Sequence, residues 1–153
     1  MATIPADTRG KARKGRKLSQ TLPKPVVNGD SQAYWQGAAE GRLLLRRCKH
    51  CSEVHFMPRF VCPKCWSDEL EWFDASGKGT IHSFTVIRRA SDPSFTHLCP
   101  YVVALVELEE GPRMMANILG DAALKVKIGD PVSVLFEDRG DGAKIPQFQL
   151  AGK

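Results

Sequence analysis

Four cysteines arranged as two close pairs restrict the fold of this chain more than any other feature of its sequence. Cys48 and Cys51 form one C-x2-C pair, Cys62 and Cys65 form the second, and ten residues separate the pairs. A C-x2-C turn directs both thiolates at one ion, and a hairpin of this length brings the second pair alongside the first. The spacing therefore predicts a rubredoxin-like ribbon in which these four cysteines bind Zn2+, or iron in its place.

The same four thiolates predict a structural metal. Zinc takes four ligands in such sites, so no coordination position is left for water or a substrate. A ribbon of about 30 residues buries too little apolar surface to fold alone, and the metal would supply its folding free energy. We therefore expect this site to hold the fold together and to perform no chemistry.

The net charge of +5 comes from the N-terminal part of the chain. Residues 1–30 contain seven Lys or Arg and two Asp, whereas residues 31–153 contain fifteen basic and fifteen acidic residues. This polar composition favours a basic tail over residues 1–30 that is disordered by itself or wraps a partner. The neutral body argues against nucleic-acid binding, for which positive charge on the folded part is expected.

No apolar run approaches the roughly 18 residues that a membrane-spanning helix requires. The basic N-terminus is not followed by the apolar stretch of a secretory signal either. We expect a cytoplasmic protein without a membrane partner.

The rest of the sequence predicts a mainly β protein. Residues 31–45 carry aromatic and small residues at helical spacing, predicting a short N-terminal helix that begins near Ser31. Residues 46–75 would form the zinc ribbon. Residues 76–153 contain five strand-like segments separated by short turns, without βαβ alternation, which is typical of a five-stranded OB-type barrel.

Few other residues indicate chemistry. Cys99 follows His97 by two positions, and a Cys-His nucleophile pair is conceivable, but no orienting Asp or Asn is evident and a spare thiol is the expectation. Arg88 and Arg89 begin a loop at the end of a strand. Arginines at a barrel mouth could hold the phosphates of a nucleotide-like ligand, or they are solvated loop charges.

The order of parts, together with five sequence segments, resembles the DUF35 family of zinc-ribbon OB-fold proteins associated with acyl-CoA. The resemblance covers about residues 31–150. Its segments are YWQGAAEGRLLLRRCKHC, PRFVCPKC, LEWFDASGKGTIHSFTVIRR, PYVVALVELEEGPRMMANI and VKIGDPVSVLFE.

This resemblance implies a small accessory subunit that is not catalytic by itself. Its partner would be a thiolase-like protein, or an aldolase or hydratase acting on CoA thioesters, in a hetero-oligomer. Aromatic-acid β-oxidation, with a benzoylsuccinyl-CoA thiolase as the example, is one pathway it suggests. The CoA thioester would be a ligand. Phe84, Arg88 and Arg89 are the candidate CoA contacts because of their expected position on the barrel, and no family motif indicates them.

Two alternatives from other classes remain open at the level of sequence. OB barrels and zinc ribbons also bind single-stranded nucleic acid, which would need a basic groove with aromatic residues for stacking. A free-standing enzyme would need Cys99 as its nucleophile.

Overall fold

The computed structural model describes residues 22–152, and most of the predicted basic tail, residues 1–21, lies outside them. The described chain is mostly β-structure with one α-helix and two short 3-10 segments. In chain order the elements are α1 (Gln32–Ala39), β1 (Leu44–Cys48), β2 (Val54–His55), β3 (Leu70–Asp74), β4 (Lys78–Ile87), a 3-10 segment (Pro93–Leu98), β5 (Tyr101–Leu108), β6 (Arg113–Leu119), a 3-10 segment (Ala123–Lys125), β7 (Pro131–Asp138) and β8 (Lys144–Leu150).

The three short strands form the ribbon sheet, with β1 between β2 and β3 and both pairings antiparallel. Two arginines of β1 stack on aromatic partners in β3. Arg46 lies over the Trp72 ring at 4.7 Å, and Arg47 lies over the Phe73 ring at 4.2 Å. Successive residues of a strand point to opposite faces, so one cation–π contact covers each face of this small sheet.

The five long strands close into a barrel in the order β4-β5-β6-β8-β7, with β7 returning to β4. The prediction of a five-stranded OB-type barrel is thereby confirmed. All pairings around the barrel are antiparallel except that of β6 with β8. That parallel pairing is short and involves only Ile118 and Leu119 of β6.

Close approach of three strands requires a glycine at position 79. Gly79 pairs with Leu108 of β5 and with Val132 of β7, at the point where β4 closes the barrel. A Cβ on this residue would lie 2.5 Å from the Glu107 carbonyl oxygen and 2.8 Å from Val106 Cγ1. No larger residue fits here without moving the backbone.

One apolar core serves both the barrel and the elements in front of it. Ile81, Val106 and Phe148 of the barrel lie in the same buried cluster as Tyr34 of α1 and Leu45 of β1. The burial of β5 alternates along the strand, so that the residues directed inside are Val102, Ala104, Val106 and Leu108.

The helix occupies Gln32–Ala39 within the predicted segment 31–45. It ends at Ala39, and Gly41 follows with φ +80°, a left-handed conformation that glycine adopts readily. Ser31 occupies the N-cap position, but its hydroxyl contacts the Asn28 side chain at 2.6 Å and does not cap the helix. The helices among residues 22–152 are all too short or too polar to cross a membrane.

The residues before the helix lie on the barrel. We call residues 22–28 the N-terminal strap. The Pro23 carbonyl accepts a hydrogen bond from Arg139 at 3.1 Å, and Lys24 forms an ion pair with Asp141. The strap is therefore attached to the hairpin that joins β7 and β8.

Candidate metal centre and binding cleft

The four paired cysteines converge on one point of the ribbon. Their Sγ atoms all lie within 4.8 Å of one another, and the Cys48–Cys65 and Cys51–Cys62 sulfur distances are both 3.6 Å. A tetrahedron with Zn–S bonds of about 2.3 Å has S–S edges of about 3.8 Å. The donor set and its spacing thus fit one zinc ion, as the sequence predicts.

The two cysteine turns share one backbone design. In each, the residue after the second cysteine, Ser52 or Trp66, is left-handed, with φ +60° and +65°. Its N–H donates to the carbonyl of the first cysteine, at 2.9 Å in the first turn and 3.0 Å in the second. In the second turn the Lys64 N–H also reaches Cys62 Sγ at 3.4 Å. These bonds direct both sulfurs of a turn toward the same point.

The site supports a structural role for zinc. Cys48 and Cys62 are fully buried, and the four thiolates complete a tetrahedral coordination sphere. Cys99 lies elsewhere, in the loop before β5, where its sulfur is 3.9 Å from the Phe95 carbonyl.

A cleft of about 450 Å3 separates the strap from the outer face of the barrel. We call it the Trp35 cleft. Its walls include Pro23 and Pro25 of the strap, Trp35 of α1, Tyr101 of β5 and Met115 of β6. Smaller openings of about 370 and 380 Å3 also adjoin Trp35 and the strap. Clefts of this size and apolar character are typical of binding sites.

A buried polar network forms the floor of the Trp35 cleft. Arg139 donates to Glu137 Oε2 from Nη2 at 2.7 Å and from Nε at 3.2 Å. Gln147 Nε2 donates to the same oxygen at 3.1 Å, and Gln147 Oε1 accepts from the Asn117 backbone N–H at 2.7 Å. The Arg139 side chain is only 4% exposed, so its charge is neutralised within the fold.

The predicted CoA contacts lie along one end of β4. Phe84 is 37% exposed, and Arg88 and Arg89 are exposed in the bend that follows the strand. None of the three lines the Trp35 cleft. Their role as CoA contacts stays a prediction.

Two histidines differ sharply in environment. His82 Nδ1 lies 3.5 Å from Glu107 Oε2 at the surface. His55, in β2, is buried, and neither of its ring nitrogens has a hydrogen-bond partner among the described residues. Burial, reinforced by the nearby charges of Arg46 and Arg59, lowers the pKa of His55 below 6.5.

No pattern in the sequence indicates the cleft. Arg139 and Asp141 belong to a segment with the composition of a polar turn, Arg139 to Gly142. Their contacts with the strap join residues more than a hundred positions apart. Burial of an arginine beside two glycines has no local sequence pattern that would reveal it.

Two family profiles match the chain one after the other. The profile described as "ChsH2, rubredoxin-like zinc ribbon domain" matches residues 35–71, and "ChsH2, C-terminal OB-fold domain" matches residues 72–137. Together they span the ribbon and most of the barrel, in agreement with the geometry above.

Curated relatives bear names of two kinds. A "DUF35 domain-containing scaffold protein" of Methanothermobacter thermautotrophicus is 43% identical over 70% of this chain and 84% of its own length. A "Probable enoyl-CoA hydratase alpha subunit" of Thermomonospora curvata is 35% identical over 89% of this chain. The present chain spans only 42% of that second relative.

Two further proteins are named for CoA enzymes or an aldolase. "Benzoylsuccinyl-CoA thiolase subunit BbsA" of Geobacter metallireducens is 35% identical over 49% of each chain. A solved structure named "Ltp2-ChsH2(DUF35) aldolase" is 34% identical to this chain and superimposes on it with a TM-score of 0.74. The superposition covers 84% of this chain and 99% of the solved one.

Proposed function

The chain belongs to the DUF35 family, and from this membership we propose that it is a non-catalytic accessory subunit of an enzyme acting on acyl-CoA thioesters. The partner we favour is a thiolase-like protein, with an aldolase or hydratase as the other members of the same class. The chain would stabilise the complex and help to bind the CoA thioester, while the partner supplies the reacting groups.

One side chain carries this proposal. Trp66 is 78% exposed although it directly follows the last zinc ligand, and its backbone is left-handed. Glycine or asparagine occupies such a position at lower conformational cost than a bulky residue does. A tryptophan with a strained backbone and a solvated indole contributes little to the stability of the ribbon. Exposed tryptophans, however, often anchor protein interfaces.

Neighbouring residues extend this surface. Phe60 is 67% exposed and Val61 38% exposed, and both directly precede Cys62. With Trp66 they make an apolar surface around the second cysteine turn, which we call the ribbon tip. Metal coordination on one side of the turn holds these side chains in place for a partner.

The names of the relatives support a partner of this class. They include a hydratase alpha subunit, a thiolase subunit and an aldolase with a DUF35 component. The benzoylsuccinyl-CoA thiolase pathway is the most specific reading we propose. It rests on a match over half of each chain.

For the CoA thioester we propose Phe84, Arg88 and Arg89 as contacts. The two guanidinium groups belong to the bend that follows the strand of Phe84 and are exposed to solvent, where they are able to meet phosphate oxygens. The exposed Phe84 ring offers an apolar face to the adenine or the acyl group.

Nucleic-acid binding receives less support from the same surface. Tyr101 and Phe95 lie beside the Trp35 cleft, but the arginine nearest to them is buried and neutralised by Glu137. Stacking sites for single strands combine such rings with exposed cations.

The partner proposal is tested with a matched pair of glycine variants. Trp66→Gly removes the indole and relieves its strained backbone, so we expect zinc content and thermal stability to be kept while binding to a co-expressed thiolase-like protein weakens about tenfold or more. Ser52→Gly makes the same backbone change at the other cysteine turn and should leave binding unchanged. Equal binding by both variants would contradict the proposal.

The CoA proposal has its own titration. Calorimetry with the assembled complex should show weaker CoA binding for Arg88→Ala and Arg89→Ala, and a smaller loss when dephospho-CoA replaces CoA. Lys127→Ala, in an exposed turn of the barrel, is the control that should not change the affinity. CoA affinity that is unaffected by both arginine variants would remove these residues from the proposal.

A further inference from the structure

Strand β6 lacks a neighbour along much of one edge. It pairs with β5 from Arg113 to Ile118, but with β8 only at Ile118 and Leu119. Over Arg113–Asn117 its second edge therefore has no strand beside it within residues 22–152. Unpaired strand edges are templates for the addition of another strand.

The backbone groups of this edge point into the gap between β6 and β8. The Asn117 N–H donates to the side-chain oxygen of Gln147, on the β8 side. In an antiparallel pair, alternate residues direct both N–H and C=O to the same side, so those of Arg113 and Met115 point the same way. Among residues 22–152, no backbone hydrogen bond reaches the Arg113 and Met115 groups on this side.

The gap opens into the Trp35 cleft, which has room for a peptide. Met115, Pro146 and Trp35 line the cleft, and Met115 is 68% exposed. Pro146 has no N–H, so β8 offers fewer backbone donors with which to fill the gap itself. Methionine adapts its shape to different apolar partners, which suits a wall against which a foreign segment lies.

The composition of residues 1–21 argues against the N-terminal part of this chain as the occupant of the Trp35 cleft. The 21 residues before Leu22 contain six Lys or Arg, and their only large apolar residues are Met1, Ile4 and Leu18. A chain so rich in charge gains little from an apolar cleft.

Charge at the rim favours an acidic segment. Lys24, Arg113 and Arg139 each have an acidic partner, but Lys144, at the start of β8 and beside Trp35, forms no ion pair with a described residue. A carboxylate on an incoming segment would complement this one cation.

We propose that an extended segment of the partner subunit adds to β6 as a strand at Arg113–Asn117, with apolar side chains on Trp35 and Met115 and a carboxylate near Lys144. This inference rests on the proposed function for the existence of a partner. Main-chain hydrogen bonds would give affinity, and alternate side chains would give specificity.

The test uses the full-length, zinc-loaded protein and two synthetic probes. They are acetylated and amidated heptapeptides of alternating threonine and valine, with an aspartate at either end to cover both strand directions. At millimolar peptide we expect backbone shifts at Arg113–Asn117 in 15N NMR spectra and roughly tenfold slower hydrogen exchange of the Met115 amide.

N-methylation of the probe separates strand addition from simple apolar contact. One derivative carries methyl groups on the valine amides and the other on the threonine amides. Alternate amides of a strand face opposite edges, so one derivative should lose binding and the other should keep it. Binding that is kept by both or lost by both would overturn strand addition.

A charge exchange tests the place of the carboxylate. Lys144→Glu should weaken the acidic probe about threefold to tenfold, and replacing the probe's aspartate by lysine should restore binding. Lys127→Glu is the matched control. Lys127 is exposed and does not line the Trp35 cleft, so this change should have no effect.

The outcomes also separate this inference from the proposed function. If no probe changes Met115 exchange while the thiolase-like partner still binds through Trp66, the strand-addition site is wrong and the accessory role stands. If Met115 becomes protected with protein concentration alone, a second copy of the chain occupies the edge, and the proposal of a partner segment is overturned.

Discussion

Arg139 donates a hydrogen bond to the carbonyl oxygen of Pro23 at 3.1 Å while its Nη2 holds Glu137 at 2.7 Å. A single buried guanidinium thus joins the N-terminal strap to the barrel wall. The two contacts differ in kind, because one binds a backbone carbonyl of the strap and the other neutralises a largely buried carboxylate. Substitutions at Arg139 and at Lys24 distinguish the buried contact from the exposed one.

Arg139→Ala should destabilise the protein by about 3 kcal/mol, since it leaves the Glu137 carboxylate without its buried cation. Chemical unfolding in urea measures this loss. The strap amides should exchange faster in the same variant. Lys24→Ala breaks only the exposed ion pair with Asp141 and should cost less than about 1 kcal/mol. Similar losses for the two variants would contradict the role assigned to Arg139.

Loss of one zinc ligand should unfold the ribbon. Cys62→Ser replaces a buried thiolate with a weaker ligand, so we expect less than stoichiometric zinc by elemental analysis and aggregated protein. Cys99→Ser changes a cysteine outside the site and should retain both zinc and solubility. A stable Cys62→Ser protein with its full zinc content would show that the metal is not held by four cysteines.

His55 should make the ribbon sensitive to mild acid. Its folded-state pKa lies below the unfolded value of 6.5, so the unfolded chain takes up a proton first as the pH falls. Stability from the neutral imidazole is therefore present above pH 6.5 and is lost as the pH decreases below it. Urea unfolding at several pH values should show this loss in the wild type and less of it in His55→Phe.

Two controls isolate that histidine. Protonation of the zinc ligands contributes equally to wild type and variant, so the difference between their pH profiles reports on His55. His97→Gln, at an exposed position, should follow the wild type. A His55→Phe profile with the wild-type slope would contradict the assignment.

Gly79→Ala should cost about 3 kcal/mol, because the added methyl group meets the Glu107 carbonyl and Val106 at the closure of the barrel. Thermal unfolding followed by circular dichroism provides the measurement. Gly29→Ala is the matched change in the turn between the strap and α1, where no atom lies within 4 Å of the new Cβ, and it should alter stability by less than about 0.5 kcal/mol. Equal losses of stability in Gly79→Ala and Gly29→Ala would contradict the claim that crowding around β4 requires a glycine at position 79.

The sequence was sufficient for the ribbon and the barrel because both leave local patterns. The spacing of Cys48, Cys51, Cys62 and Cys65 is chemically specific, and the five strands of the barrel alternate with recognisable turns. Four thiolates at one point and a closed barrel follow from these patterns, and the structure confirms both.

The Trp35 cleft could not be predicted in this way. It depends on Pro23 meeting Arg139, on Lys24 meeting Asp141, and on the early end of the β6–β8 pairing. Each is a long-range outcome of barrel closure. Local patterns place Phe84 within a strand and Arg88 and Arg89 at its end, but they do not indicate which surface a ligand uses.

The core shared by ribbon and barrel limits how this protein is able to change. Leu43 and Leu45, which precede residue 75, lie in one buried cluster with Ile81 and Phe148 of the barrel. A chain divided after residue 75 would bare an apolar face on each half. The ribbon is therefore not an independent module. Transplanted to another barrel, it would expose the apolar side chains that the native barrel covers, so the two parts must be inherited together.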